Sequence, residues 1–184
     1  MKIYLGLVHY PVRNKRGEIV TTSVTNLDIH DISRSCKTFN VEKYFIITPL
    51  ETQHQLIRRI LGHWEQDQGL LYNPDRSEAL SVAKLSLSIE SAVAEIAAIE
   101  GISPKIAITG AQFGEGDGDV DRLKMQWEID KLPIFLLFGT GWGLAESVLD
   151  CSHFKLKSII GAGKYNHLSV RSAVAIYLDK LMGK

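Results

Sequence analysis

The stretch PIFLLFGTGWGLAESVLD, residues 133–150, decides the fold class. An apolar run typical of a buried strand is followed by three alternate glycines, Gly139, Gly141 and Gly143, and then by a helical pattern. A strand that leads through a glycine loop into a helix is the unit from which many nucleotide-binding α/β folds are built. The stretch therefore predicts an α/β fold with a ligand site at the end of this strand.

Strand-like and helix-like segments alternate along the whole chain of 184 residues. Strands joined by helical crossovers form a parallel sheet that is covered by helices on both faces. The length fits one domain, residues 1–184, with a single core. The apolar patterns predict strands at residues 2–10, 41–49, 104–111, 133–139 and 157–163.

The predicted helices lie between and after these strands, and two of them carry end signals. Thr25 followed by Asp28 resembles a capping box, and Gly101 is a typical C-terminal cap. Residues 72–80 read as a turn because they contain Asn-Pro-Asp. The helical patterns cover residues 23–40, 52–69, 86–101, 121–132, 144–150 and 168–183.

Charge and cysteine content limit the classes of function. The chain has 21 Lys plus Arg and 21 Asp plus Glu, so its net charge gives no indication of nucleic-acid binding. Local patches of positive charge matter more for such binding than the net charge does. Cys36 and Cys151 are far apart, which excludes a disulfide framework and indicates a reducing, cytoplasmic setting. The histidines show no metal-ligand spacing, so we expect no metal. The first apolar segment is too short to cross a membrane.

The glycine loop fits neither of the two commonest nucleotide motifs. A dinucleotide-binding loop follows the first strand and is succeeded by an acid about 20 residues on, whereas only 45 residues follow Gly139 and no acid ends the next strand. A P-loop needs Lys after its last glycine, and Gly143 precedes Leu144. A plain turn that needs small residues remains an alternative, as does a Rossmann-type oxidoreductase with an unusual strand order.

Two further glycine-containing segments follow predicted strands, ITGAQFGEG at residues 108–116 and IIGAGKYNHLSVRSA at residues 159–173. Open α/β sheets bind ligands at the carboxyl ends of their strands. Three such turns at one edge predict a shared crevice in which backbone groups read a purine-type ligand.

Three segments taken in order resemble the motifs of SPOUT methyltransferases, trefoil-knotted enzymes that use S-adenosylmethionine mostly on RNA. The segments are TNLDIHDISRSCKTF (25–39), LLFGTGWGLAE (136–146) and YNHLSVRSAVAIYLDKL (165–181). Together with LVHYPV (7–12) they are similar to one subfamily that occurs alone or attached to bacterial tRNA guanine-N1 methyltransferases. The resemblance implies a C-terminal knot, a homodimer, S-adenosylmethionine as cofactor and an RNA substrate, either tRNA or rRNA.

The resemblance also implies functional residues. Arg34 matches an arginine near the target nucleotide, and Asp28 stands where an asparagine is usual, so both are candidate catalytic residues. The candidate cofactor-binding residues are Thr109, Gly110, Ala111, Phe138, Gly139, Thr140, Gly141, Gly143, Ile160, Gly161, Asn166, Leu168, Ser169 and Val170.

Position and charge, apart from the resemblance, add candidate substrate-binding residues. His9 ends the first strand near the crevice, with burial or capping as the alternative. Arg13, Lys15 and Arg16 share one loop that either contacts phosphate or is a solvated turn.

The chain departs from the family pattern at the reacting end of the site. Gly141 stands where Glu is common, Ser169 where Asn is usual and Arg171 where Ser is usual. A binding module that keeps the cofactor pocket without catalysis is therefore an alternative function. For Arg34, a surface ion pair with Asp31, three residues back on the same helix, is the alternative to a catalytic role.

Overall fold

A six-stranded sheet forms the centre of the computed structural model, which describes residues 1–65 and 73–184. All its strand pairs are parallel, and their order is β5-β4-β1-β7-β6-β8. A short antiparallel hairpin, β2–β3, lies apart from this sheet. The strands are β1 (Ile3–Val8), β2 (Val12–Arg13), β3 (Ile19–Val20), β4 (Lys43–Ile47), β5 (Ala83–Ser86), β6 (Lys105–Thr109), β7 (Ile134–Gly139) and β8 (Phe154–Lys155).

Helices cover both faces of the sheet, as the sequence predicted. Side chains alternate between the faces along β1: Leu5 packs in one apolar cluster and Tyr4 in the other. Helices α1, α2, α3, α5 and α7 contribute to the first cluster, and α4 and α6 to the second. The helices are α1 (Asn26–Thr38), α2 (Glu51–Glu65), α3 (Pro74–Leu80), α4 (Ile89–Glu100), α5 (Val120–Asp130), α6 (Glu146–Asp150) and α7 (Val170–Met182).

Both predicted helix caps are confirmed. The Thr25 hydroxyl accepts a hydrogen bond from the Asp28 amide at 3.2 Å and opens α1. Gly101 has φ +73° and closes α4 in the left-handed conformation that glycine tolerates.

Two predictions in the helical regions are wrong, and the helix predicted over residues 52–69 is confirmed as far as the structure describes it. Residues 74–80 form a helix, because Asn73 accepts from the Arg76 amide and Pro74 stands in the first turn, where its missing N–H costs nothing. The helical pattern from residue 86 begins only at Ile89, and residues 83–86 form the edge strand β5. The predicted helix over residues 52–69 runs from Glu51 to Glu65, and its remainder lies outside the described residues.

The predicted fifth strand, residues 157–163, is also wrong, since the strand lies earlier, at Phe154–Lys155. The backbone amides of residues 157 and 158 donate hydrogen bonds to loop carbonyls and not to a neighbouring strand. The Lys157 amide donates to the Gly118 carbonyl at 2.7 Å, and the Ser158 amide donates to the Gly114 carbonyl at 2.8 Å.

The order in which successive strands are added to the sheet reverses at its centre, between β1 and β7. From β1 the chain proceeds to β4 and β5 on one side, whereas β6 and β8 lie on the other side, beyond β7. The adjacent carboxyl ends of β1 and β7 therefore flank a crevice of the kind in which α/β proteins bind ligands. Among the described helices, none is long and apolar enough to span a membrane.

Candidate functional site

A cavity of about 630 Å³ lies at the carboxyl ends of β1, β6 and β7. Its volume is in the range of small-molecule sites. The three glycine-containing segments meet there. Of the fourteen candidate cofactor-binding residues, eleven line it: Thr109, Gly110, Ala111, Phe138, Gly139, Thr140, Gly141, Gly143, Asn166, Leu168 and Val170.

The first wall is the glycine loop after β7, which the β2–β3 hairpin holds in place. The Arg13 amide donates to the Gly143 carbonyl and the Trp142 amide donates to the Arg13 carbonyl, both at 2.9 Å. Gly141 has φ +59°, and a Cβ there would lie 3.0 Å from the Arg13 carbonyl oxygen. The loop therefore needs glycine at 141 for both its conformation and its close contact with the hairpin.

The second wall is the turn after β6. The Thr109 hydroxyl donates to the Leu137 carbonyl at 3.1 Å, which ties the end of β6 to β7. A Cβ at Gly110 would lie 2.8 Å from the ring of Phe113, so that ring packs directly over the turn. The Ser158 hydroxyl donates to the Gly110 carbonyl at 2.7 Å and joins this wall to the C-terminal segment.

The third wall is the segment before α7. Asn166 donates from Nδ2 to the Ala111 carbonyl at 3.2 Å. The Tyr177 hydroxyl donates to the Lys157 carbonyl at 2.7 Å, and its ring centroid lies 6.0 Å from that of Phe138. Asn166 thus ties the segment to the second wall. Tyr177 of α7 ties Lys157 at the other end of the segment to a position beside the sheet.

A chain of hydrogen bonds fixes His9 at the end of β1. The Thr140 hydroxyl donates to the Val8 carbonyl at 2.9 Å, so it accepts from the Thr22 hydroxyl, and Thr22 in turn accepts from His9 Nδ1 at 3.0 Å. This order places the ring proton on Nδ1 and leaves a lone pair on Nε2, which is buried and has no partner. Burial lowers the pKa of His9 to about 4, against a weaker opposing effect of Asp28, so the imidazole is neutral at pH 7.

An ion pair between the first and last helices lies beside the cavity, on the α1 side. Arg171 Nη1 lies 2.8 Å from Asp28 Oδ1, and the Thr25 hydroxyl donates to Asp28 Oδ2 at 2.6 Å. The Asp28 side chain is only 7% exposed and lines the cavity. Arg171 Nε also lies 3.4 Å from Asp31 Oδ2, so the arginine that replaces the family serine bridges two carboxylates of α1.

Several candidate residues lie outside this cavity. Ile160 is 67% exposed, and Gly161 and Ser169 do not line the cavity, although the Ser169 hydroxyl caps α7. His9 and Arg13 line the cavity, whereas Lys15 and Arg16 lie in the exposed turn between β2 and β3. Arg34 lines a different concave surface, and the partner of Asp31 is Arg171.

Sequence reasoning missed Thr22, Phe113 and Tyr177 among the lining residues. Thr22 lies in a polar run, Phe113 in a glycine loop and Tyr177 on an apolar helix face, so none carried a chemical signal. Within the described residues, no group of three or more His, Cys, Asp or Glu side chains is placed to hold a metal ion.

A parallel α/β sheet with a cavity of backbone turns at its switch point is the arrangement in which α/β proteins bind nucleotide-like ligands. The chain belongs to the family of SAM-dependent RNA methyltransferases, whose family model matches residues 2–183. The resemblance noted in the sequence is thereby confirmed.

Two relatives match almost the whole chain. A tRNA (guanine-N(1)-)-methyltransferase of Oleidesulfovibrio alaskensis is 41% identical over 181 residues, which are 98% of this chain but 42% of that protein. The chain thus spans less than half the length of that relative. An uncharacterised protein of Aquifex aeolicus is 32% identical over 182 residues, 99% of this chain and 89% of that protein.

The fold matches that of solved methyltransferases. The SpoU methyltransferase AviRb from Streptomyces viridochromogenes, solved in complex with the cofactor AdoMet, gives a TM-score of 0.57 at 17% identity. The match covers 99% of this chain and 56% of that chain. At this identity the likeness concerns the fold alone, and it agrees with the parallel α/β sheet covered by helices that the sequence predicted.

Proposed function

We propose that residues 1–184 act as one domain that transfers a methyl group from S-adenosylmethionine to RNA. The observation that carries this proposal is the cavity at the carboxyl ends of β1, β6 and β7, walled by three glycine-containing segments of a chain in this family.

Glycine turns in the walls of the cavity support this assignment, because they let backbone groups approach a ligand closely. The positive φ of Gly141 and its contact with the Arg13 carbonyl fix the shape of one of these turns. The aromatic rings of Phe113, Phe138 and Tyr177 supply apolar surface for a purine. S-adenosylmethionine would supply an electrophilic methyl group on its positively charged sulfur. We propose that the eleven candidate cofactor-binding residues that line the cavity hold it there. We propose for Ile160, Gly161 and Ser169 only that they position the segment before α7.

His9 and Asp28 are the polar side chains that we propose act on the acceptor. The bare Nε2 lone pair of His9 binds a hydroxyl or N–H group of the substrate, since an unsatisfied buried acceptor otherwise costs free energy. The acceptor's proton comes off poorly at pH 7, so a base is needed. Asp28 lines the cavity as a carboxylate that Arg171 orients, and we propose that it takes this proton.

We propose a homodimer, in which Arg34 of one copy approaches the acceptor of the other. Exposed apolar side chains around the cavity mouth support an interface there: Trp142 is 49% exposed and Tyr165 is 79% exposed. Arg13, Lys15 and Arg16 of the hairpin then contact RNA phosphates.

We propose that the C-terminal segment forms a trefoil knot. The edge strand β8 pairs with β6, whereas α7 packs on α1 and on Phe138 of β7, so residues 156–169 cross back over the sheet. Deleting residues 169–184 should then abolish cofactor binding and dimerisation together. A folded truncation that still binds cofactor would exclude this topology.

For the substrate we propose tRNA, because the Oleidesulfovibrio relative is named for tRNA methylation. Two free cysteines, Cys36 and Cys151, fit a reducing compartment, so we place the protein in the cytoplasm.

The proposal is tested in two steps on the purified chain. Calorimetry should show binding of S-adenosylmethionine, and incubation with bulk tRNA should yield S-adenosylhomocysteine together with a methylated nucleoside seen by mass spectrometry. Binding without turnover on tRNA or rRNA would make this chain a cofactor-binding module, and absence of binding would refute the cavity assignment.

A further inference from the structure

A second concave surface lies between α1, α2 and α3. This surface, here called the arginine groove, has a volume of about 790 Å³. It shares no lining residue with the cofactor cavity, although α1 contributes to both. Nothing in the proposed methyl transfer uses its α2 and α3 walls.

The groove concentrates positive charge in a chain of zero net charge. Arg34, Arg59 and Arg76 line it, one from each helix. Among the described residues of its lining, the one carboxylate is Asp31, and that group lies 3.4 Å from Arg171 Nε. Three guanidinium groups therefore face a surface on which the acidic side chain already has a partner.

The groove holds one of its arginines in place on an aromatic ring. The Arg76 guanidinium lies 5.1 Å from the centroid of Trp64, over its face. His30 meets the same indole at 5.9 Å in an edge-to-face arrangement. Burial and, next, the charge of Arg76 lower the pKa of His30, which agrees with a positive potential along this wall.

We infer that the arginine groove binds the phosphodiester backbone of RNA outside the cofactor cavity. This inference rests on the proposed function, because an RNA methyltransferase must hold a polymer much larger than its acceptor nucleotide. The cofactor cavity offers only two cationic side chains among its described lining residues, Arg13 and Lys164. Guanidinium groups match phosphate oxygens in geometry and charge, and phosphate contacts supply most of the salt-dependent affinity for nucleic acids.

The chain offers a matched pair of variants on one helix. Arg59 lines the groove, whereas its neighbour Arg58 points away and pairs with Glu51 at 2.9 Å. We would measure binding of bulk tRNA by fluorescence anisotropy across a range of KCl concentrations, with Arg59→Ala, Arg59→Ala/Arg76→Ala and the control Arg58→Ala. Arg34 is left unchanged, because it has a proposed role at the acceptor.

We expect the double variant to bind tRNA about tenfold more weakly, with the slope of log K against log salt reduced by roughly 1.5, or about 0.7–0.9 for each lost phosphate contact. Arg59→Ala should give about half of this change, and Arg58→Ala should bind as the parent does. Arg76→Ala removes the contact with Trp64 and could lower the melting temperature of the double variant. In that case the single Arg59→Ala variant, which keeps this contact, decides the test.

Unchanged tRNA binding in the double variant would overturn the inference and leave the groove to another class of partner, such as an acidic protein segment. Equal losses in the Arg58 and Arg59 variants would also overturn it, because the effect would then reflect overall charge. Calorimetry with S-adenosylmethionine on the same proteins reports on the cavity separately. A double variant that binds both cofactor and tRNA as the parent does would refute the groove alone, whereas a parent that binds no cofactor would refute the proposed function.

Discussion

The cofactor cavity and the arginine groove share helix α1 but are built from different material. The cavity has walls of backbone turns with positive φ and buried hydrogen bonds, such as those at Gly141 and His9. The groove has walls of long side chains on three helices, with Arg59 exposed. Small substitutions should therefore damage the cavity severely, whereas changes in the groove should have graded, salt-dependent effects.

The largest expected effect concerns Gly141. Gly141→Val forces a β-branched residue to φ +59° and brings its Cβ to 3.0 Å from the Arg13 carbonyl. Such backbone strain costs on the order of 1–3 kcal/mol before the contact with the hairpin is counted. We expect affinity for S-adenosylmethionine to fall by roughly 100-fold, measured by calorimetry, with the helical circular dichroism retained. Parent-like affinity would show that the loop does not form the binding wall.

The next effect concerns pH and His9. The unfolded chain takes up a proton on this residue below its ordinary pKa of 6.5, whereas the folded chain does so only near its pKa of about 4. Stability contributed by neutral His9 is therefore complete above pH 6.5 and is lost as the pH falls toward 4, by at most about 3 kcal/mol.

His9→Gln should flatten this part of the pH–stability curve, measured by urea unfolding at several pH values between these limits. The exposed groove residue His63, changed to Gln, is the control and should keep the slope of the parent. A parent-like slope in His9→Gln would mean that another group titrates.

A smaller effect is expected for the ion pair beside the cavity. Arg171→Ala leaves Asp28, 7% exposed, without its cationic partner. Because Arg171 itself is 30% exposed, solvent screens part of the loss, and we expect a cost of about 1–2 kcal/mol. A double-mutant cycle with Asp28→Asn, followed by thermal unfolding, isolates the pair. A coupling energy near zero would indicate that Arg171 acts only through packing.

The smallest effect is expected at Gly62 of α2, a helix that contributes to the groove. Its φ is not positive, and a Cβ there would meet nothing within 4 Å. Gly62→Ala should stabilise the protein by about 0.5–1 kcal/mol through helix propensity, seen as a higher melting temperature. Cofactor affinity should not change, and a change would show that the two regions are coupled through α2.

The parts of the site that sequence predicted are those fixed by local pattern. Apolar runs followed by glycine turns located the carboxyl ends of β6 and β7, and a parallel sheet necessarily brings these ends to one edge. The residues that escaped prediction depend on contacts between distant segments. The Asp28–Arg171 pair joins residues 143 positions apart, and no spacing rule reaches that far.

Arg34 illustrates a second limit. The sequence placed Arg34 on α1, six residues after Asp28. An α-helix has 3.6 residues per turn, so these two residues lie on different faces of the helix. Which face meets the cavity depends on how α2, α3 and α7 pack around α1. Residues 157–163 show a third limit, because an apolar pattern alone does not reveal that loop carbonyls accept the hydrogen bonds of Lys157 and Ser158.

The pairing of β1 with β7 has a kinetic consequence. Ile3 is aligned with Ile134, so the two strands that flank the cavity meet only after a very long loop closes, which slows folding. The proposed cofactor site does not form before this closure, so the ligand has nothing to bind in early intermediates. We therefore expect S-adenosylmethionine to leave the refolding rate unchanged and to slow unfolding, which makes the cofactor a source of kinetic stability.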